Sequence, residues 1–198
     1  MSSSPSVLVT GFEVFGDNSE NPTEILVNRL KGNVEKKKFK GIHTRVLPVT
    51  HQASNIINSL LPNNYEYVIQ LGLHGLINDF ALERIAINID DFRIPDNSGV
   101  QTQDRPIDPK APLAYMTPLP IYKIESALKD ISLPCHISYS AGTYLCNHIY
   151  FTTLNFIHMH NLNTQAIFVH VPSRDHIDLD LQYAGLQTIL RSLGCTIL

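Results

Sequence analysis

The chain has 198 residues, of which 43% are apolar and 17% charged, with a formal net charge of −3. That length suits one domain with a substantial core, and the composition excludes a disordered chain. The weak negative balance offers no electrostatic footprint for nucleic acid or an anionic membrane.

In chain order, residues 6–10 (SVLVT) predict a buried strand, followed by a turn-rich stretch over 11–20. Asn21-Pro22-Thr23-Glu24 reads as a helix start: Asn21 caps, Pro22 has no N–H to leave unpaired, and Glu24 suits the positive end of the dipole. Ile25, Leu26, Val27 and Leu30 form the apolar side of that helix. The basic run at 36–40 reads as a solvated connection. Residues 44–49 predict a strand, 51–61 a helix, and 67–71 (YVIQL) a central strand ending at Gly72. A less regular strand is expected over 82–89. Residues 121–129 predict a helix, 136–139 a strand, 144–158 a long helix, 166–171 (AIFVHV) a strand and 180–193 a closing helix. Such alternation implies an α/β fold with a largely parallel sheet. Residues 95–120 hold six of the twelve prolines, which argues against a regular central element there. We read one domain over 1–198, with an irregular Pro-rich arm at about 92–120.

No apolar run approaches the roughly 20 residues needed to cross a bilayer. The start, Met1 to Ser6, has neither a basic n-region nor an apolar h-region. Three widely spaced cysteines, Cys135, Cys146 and Cys195, suit reduced thiols rather than a disulfide framework. The expected compartment is the cytoplasm.

Cys146 has the most suggestive setting of the three. A strand ends shortly before it, Ser140-Ala141-Gly142 supply a tight turn, and a helix begins within a residue or two. Free N–H groups and the positive dipole end in a first helical turn favour a thiolate, the nucleophilic form; a cysteine in an apolar helix is otherwise inert packing. A cysteine nucleophile needs a base. Among nine histidines, His170 falls at the carboxyl end of a buried strand, where parallel α/β sheets place ligands. The alternative is a core histidine bonded to backbone. His148, two residues from Cys146, points elsewhere on a helix. Glu83 interrupts an apolar run, and is either an orienting group for the base or half of a salt bridge with a nearby arginine. His158 with His160, and the acidic residues of 175–180, include metal-ligand types without metal-site spacing. No dinucleotide, Walker or G-x-S-x-G signature is present.

Taken together, the motifs resemble the pyroglutamyl peptidase I (pyrrolidone-carboxylate peptidase) family. The resemblance covers roughly residues 7–172. It rests on Val9-Thr10-Gly11-Phe12-Glu13-Val14-Phe15-Gly16, Asn21-Pro22-Thr23-Glu24, Leu82-Glu83-Arg84-Ile85-Ala86-Ile87-Asn88, Arg93-Ile94-Pro95-Asp96-Asn97, Ser140-Ala141-Gly142-Thr143-Tyr144-Leu145-Cys146-Asn147 and Phe168-Val169-His170-Val171-Pro172, in that order.

What the resemblance implies is a three-layer α/β/α open sandwich and a cysteine exopeptidase that removes an N-terminal pyroglutamyl residue through a thioester. It implies Glu83, Cys146 and His170 as the catalytic set and Arg93 as an oxyanion-stabilising or positioning residue. Phe12, Phe15, Gln70, Gly72, Tyr144 and Leu145 match positions around the pyrrolidone ring. It implies no cofactor and no metal, pyroglutamyl peptides as partners, and a homodimer or homotetramer. The chain departs from the family at Val14, where proline is usual, in residues 74–80, where a Gly-Arg pair is common, and in residues 173–176. A binding protein that retains the ring pocket without turnover, and a cysteine hydrolase of another small amide or lactam, are the alternatives.

Overall fold

The structure is a computed structural model that describes residues 5–16 and 19–196. Met1 to Ser4, part of the segment read for a leader, lie outside the described residues. The elements in order are β1 (Val7–Phe12), α1 (Pro22–Glu35), β2 (Ile42–Leu47), α2 (Gln52–Leu60), β3 (Tyr67–Leu73), β4 (Phe80–Glu83), β5 (Ile85–Ile87), β6 (Ala114–Met116), α3 (Ile121–Asp130), β7 (Cys135–Ser138), α4 (Leu145–Met159), β8 (Gln165–Val171) and α5 (Leu179–Ser192).

Six strands form one sheet in the order β2-β1-β3-β8-β4-β7. Neighbours run parallel except β4 and β8, which are antiparallel. β1 and β3 are apolar runs buried on both faces, as a sheet covered by helices on each side requires. One face carries Leu26, Val27 and Leu30 of α1, Ile121, Ile124 and Leu128 of α3, and Leu186, Ile189 and Leu190 of α5. The other carries Ala53 and Ile57 of α2 and Leu145, Ile149, Tyr150 and Phe151 of α4. The result is the expected α/β/α sandwich. Each large apolar side chain removed from water in these two layers contributes about 1.5–3 kcal/mol before ordering costs.

Helix α1 begins where Asn21 was expected to cap it. The Asn21 Oδ1 accepts from the Thr23 amide at 3.0 Å, and Pro22 occupies the first turn. The Thr23 hydroxyl in turn accepts from the Phe12 amide at 2.9 Å, and the Asn21 side-chain amide donates to the Glu13 carbonyl at 2.9 Å. The cap therefore also fixes the end of β1 and the loop after it. Gly11 allows this approach: a Cβ there would lie 2.6 Å from the Thr23 carbonyl oxygen.

Two differences from the expected elements matter. The strand expected over 82–89 is two strands in two sheets. After Glu83 the chain leaves the main sheet, and β5 pairs antiparallel with β6. The Pro-rich arm thus contains a short strand, whose three residues lie between Pro112 and Pro118. A two-stranded ribbon at a margin tolerates flanking prolines that a central strand would not.

Candidate active site

Chain order places β2 on one side of β1 and β3 on the other, so a crevice opens beyond the carboxyl ends of β1 and β3, where ligands collect in α/β sheets. Phe12 ends β1 and Leu73 ends β3. Both line a pocket of about 110 Å³ together with Phe15, Glu20, Asn21, Val49, Tyr144, Leu145 and Cys146. The Phe15 and Tyr144 rings stand 5.6 Å apart and give the pocket aromatic walls.

Cys146 is the second residue of α4, whose first turn has no side-chain cap. Backbone N–H groups and the positive end of the helix dipole therefore face the region of its sulfur. Asn147 locks this turn in place: its Oδ1 accepts from the Ile87 amide at 2.9 Å, and its Nδ2 donates to the carbonyls of Ile87 (2.9 Å) and Ile89 (3.1 Å). On the strand side, Gly72 pairs in register with His170. A Cβ at Gly72 would meet the Phe168 ring at 2.6 Å and Cys146 Sγ at 3.1 Å. Glycine is thus the residue that lets the helix start settle against the sheet.

Glu83 reaches His170 because β4 is antiparallel to β8. Ala81 is opposite His170 and Glu83 opposite Phe168, which makes Glu83 the diagonal, same-face neighbour of His170. Its Oε1 lies 2.7 Å from His170 Nδ1, with both residues buried. The salt bridge with arginine that was the alternative for Glu83 does not form among the described residues. Burial, the largest influence on His170, pushes its pKa down. The charge and hydrogen bond of Cys146, then those of Glu83, outweigh it and raise the group to about 9. Burial, foremost, pushes the Cys135 and Cys195 thiols each up to about 11.

The other expected residues divide. Phe12, Phe15, Tyr144 and Leu145 line the pocket and Gly72 backs the sulfur. Gln70 is in the sheet interior, fully buried, with its Nε2 donating to the Thr153 hydroxyl at 2.9 Å; it does not line the pocket. Arg93 is exposed on the loop after β5 and is also outside the pocket lining. The loop bearing Val14 is nonetheless held, by Glu13 N–H to the Leu47 carbonyl at 3.0 Å and by Asn97 Nδ2 to the Val14 carbonyl at 3.3 Å.

Sequence reasoning passed over Glu20, Asn21, Val49 and Leu73 as pocket residues, and His74 as a neighbour of His170. The His74 and His170 rings meet edge to face at 5.4 Å. Burial, and then the charge of His170, lower the His74 pKa. The one available signal was His74 directly following the strand whose end was already expected at the site. A second groove, lined by Ser19, Glu20, Pro22, Leu73, Ser173, Arg174 and Asp175, adjoins the pocket through Glu20 and Leu73. An exposed Arg174–Glu20 ion pair at 3.0 Å spans it.

A family model described as pyroglutamyl peptidase matches residues 5–195. The pyrrolidone-carboxylate peptidase 1 of Caldanaerobacter subterraneus subsp. tengcongensis is 42% identical over 168 residues, 84% of this chain and 81% of that protein. The pyrrolidone-carboxylate peptidase of Thermococcus litoralis is 43% identical over 173 residues, 84% of this chain and 76% of that one. Among solved structures, a pyrrolidone carboxyl peptidase from Thermococcus litoralis superposes with a TM-score of 0.87 at 37% identity, covering 95% of this chain and 92% of that chain. The corresponding enzyme from Fervidobacterium islandicum gives 0.88 at 33% identity, covering 96% and 98%.

Proposed function

This chain belongs to the pyroglutamyl peptidase family, and we propose that it is a cysteine exopeptidase which hydrolyses the bond after an N-terminal pyroglutamyl residue, with Cys146 as nucleophile, His170 as acid and base, and Glu83 as the group that holds His170. The observation that carries the reading is the buried 2.7 Å contact between Glu83 and His170, with the Cys146 sulfur lying against Gly72, the residue paired with His170, beside an aromatic pocket.

The pocket suits the substrate. A pyroglutamyl ring is a neutral lactam with no α-ammonium group, so it asks for apolar walls and a few backbone hydrogen bonds rather than a paired charge. Phe12, Phe15, Val49 and Tyr144 supply such walls. The Cys146 thiolate attacks the pyroglutamyl carbonyl, and a C–S bond forms as the oxygen takes the electron pair. The N–H groups at the start of α4 are available to that oxyanion, and each such donor is worth on the order of 10²–10³ in rate. Protonated His170 gives its proton to the departing amine as the C–N bond breaks. Neutral His170 then takes a proton from water, which attacks the thioester and restores the thiolate. Glu83 fixes the tautomer and stabilises the imidazolium, as the third member of such sets does. Gly72 leaves room for the sulfur. From the family resemblance, Arg93 assists as an oxyanion-stabilising or positioning residue when substrate is bound. The polar groove beside the pocket provides the path for the residue after pyroglutamate.

The same reading places the protein in the cytoplasm, in keeping with three unpaired cysteines. No helix among the described residues is long and apolar enough to cross a membrane. It also assigns a homodimer or homotetramer, with Leu113 and Met116 of the Pro-rich arm, both exposed, as available apolar surface.

Hydrolysis of a fluorogenic pyroglutamyl amide by wild type, Cys146→Ser and iodoacetamide-treated protein tests the proposal. Turnover confined to untreated wild type is expected. A folded wild type that releases nothing would overturn the proposal and leave the binding-protein and other-amide alternatives standing.

A further inference from the structure

On the side of α4 away from Cys146, three chain segments bring together a cluster with no part in the reaction just described. His51 precedes α2, Asp90 follows β5, and His148 lies in the first turns of α4. One ligand atom from each of His51, Asp90 and His148 lies within 4.8 Å of the others. His148 Nδ1 is 2.9 and 3.0 Å from the two Asp90 oxygens, and His51 Nε2 is 3.6 Å from Asp90 Oδ2. We propose that His51 Nε2, Asp90 and His148 Nδ1 form a binding site for a divalent transition-metal ion of the zinc class, separate from the catalytic groups.

Four observations argue for it. First, the donor set is two imidazoles and one carboxylate, the mixture that borderline-soft divalent ions select. Second, metal–ligand bonds of 2.0–2.2 Å in tetrahedral geometry put ligand atoms about 3.3 Å apart; the observed 2.9 and 3.6 Å separations bracket that value. Third, the other nitrogen of His51 is already committed. Its Nδ1 is 2.9 Å from Asp96 Oδ2, and the Asp96 side chain is fully buried.

Asp96 is held as an anion by its surroundings. Its Oδ1 accepts from Ser98 N–H (2.9 Å), Ser98 O–H (2.6 Å) and Val100 N–H (3.0 Å), and its Oδ2 from the His51 amide at 3.1 Å. A proton on Nδ1 facing that carboxylate leaves Nε2, which faces Asp90, as the nitrogen available to a metal ion. Metal-binding histidines are typically oriented by a carboxylate on the far nitrogen in this way. Fourth, Asp90 and His148 are buried whereas the His51 side chain is 26% exposed, which leaves an entry path and an open position on one side.

An ion bound here would fasten the start of α2, the loop after β5 and the first turns of α4 to one another. Phe92 stacks on His51 at 4.8 Å and packs against Tyr144 at 4.7 Å, and the Tyr144 hydroxyl donates to the Pro95 carbonyl at 3.1 Å. The site therefore braces the outer wall of the ring pocket without touching Cys146 or His170.

The test uses the full chain carrying Cys146→Ser, because an active-site thiolate would itself capture soft metals. Zinc titration by calorimetry and Co(II) visible absorption are read in that protein and in versions further carrying His51→Gln, His148→Gln or Asp90→Asn. We expect one saturable equivalent, a tetrahedral Co(II) spectrum and a higher melting temperature with zinc. His51→Gln and His148→Gln should each weaken binding at least about tenfold, and Asp96→Asn should do so by about 10–100-fold through the orienting contact. His158→Gln should change nothing. His51→Gln, at the most accessible of the three positions, keeps the test usable if Asp90→Asn does not fold. Absence of saturable zinc binding, or binding indifferent to His51→Gln and His148→Gln, would overturn the site. Loss of peptidase turnover in wild type would not, since the readout is independent of it.

Discussion

At the scale of single residues, the site depends on contacts with little room for substitution. In the proposed reaction Glu83 acts only through His170, so its neutral isostere is informative. Glu83→Gln keeps the shape but removes one of the influences that raise the His170 pKa to about 9. The alkaline limb of kcat/KM should then move to lower pH, and the rate should fall on the order of 10²–10⁴-fold. A rate loss with an unmoved limb would show that Glu83 does not set the protonation of His170. Gly72→Ala is a steric counterpart. The added methyl would sit 2.6 Å from the Phe168 ring and 3.1 Å from Cys146 Sγ. Overpacking of this kind costs about 1–3 kcal/mol, so urea denaturation should show a lowered midpoint, and iodoacetamide should alkylate Cys146 at a changed rate. Unchanged stability and unchanged alkylation would mean that the strand end yields easily.

At the scale of elements, α1 serves the pocket through its first turn. Asn21 caps the helix and ties Glu13 to it, and Thr23 holds the Phe12 amide. Asn21→Ala should therefore cost about 1 kcal/mol of stability. If Phe12 and Phe15, which line the pocket, hold the ring as proposed, it should also raise KM for the pyroglutamyl amide more than it lowers kcat. Equal effects on both parameters would place Asn21 closer to the chemistry than the geometry suggests. Helix α4 is a second case. Its start is clamped by Asn147 to β5, so the short ribbon of β5 and β6 helps to position Cys146. That gives the Pro-rich arm a positioning role.

For the whole molecule, the raised His170 pKa is a statement about stability. The group binds its proton more tightly in the folded state than at the ordinary histidine value of about 6.5. The stabilisation is therefore fully present below about pH 6.5 and is lost as pH rises through about 9. The gap in denaturation midpoint between wild type and His170→Gln should narrow between pH 6 and 10. A gap that stays constant or widens over that range would mean that His170 is neutral in the folded protein at pH 7. The helices on both faces keep the sheet dry, and this burial lets the charges of Cys146 and Glu83 act on His170 with little screening.

The amino-acid sequence by itself determined the α/β alternation, the cap at Asn21, the helix start ahead of Cys146 and the placing of His170 at a strand end. Those features follow from local rules of periodicity, capping and turn chemistry, which act within about a dozen residues. It left Glu83 between two partners, ran β4 and β5 together, did not give the direction of the Gln70 side chain, and did not join His51, Asp90 and His148. Each of these turns on how distant segments meet. The antiparallel pairing of β4 with β8 sets Glu83 diagonally across from His170. The departure of the chain at Arg84 divides one apolar run between two sheets. The pleat of β3 turns Gln70 toward Thr153, and the packing of α2 and α4 against the loop after β5 gathers two histidines and a carboxylate from positions 51, 90 and 148. Side-chain partners across a sheet are chosen by strand direction and register, and neither is encoded in the spacing of residues along a single strand; only the assembled sheet and its two helix layers decide them.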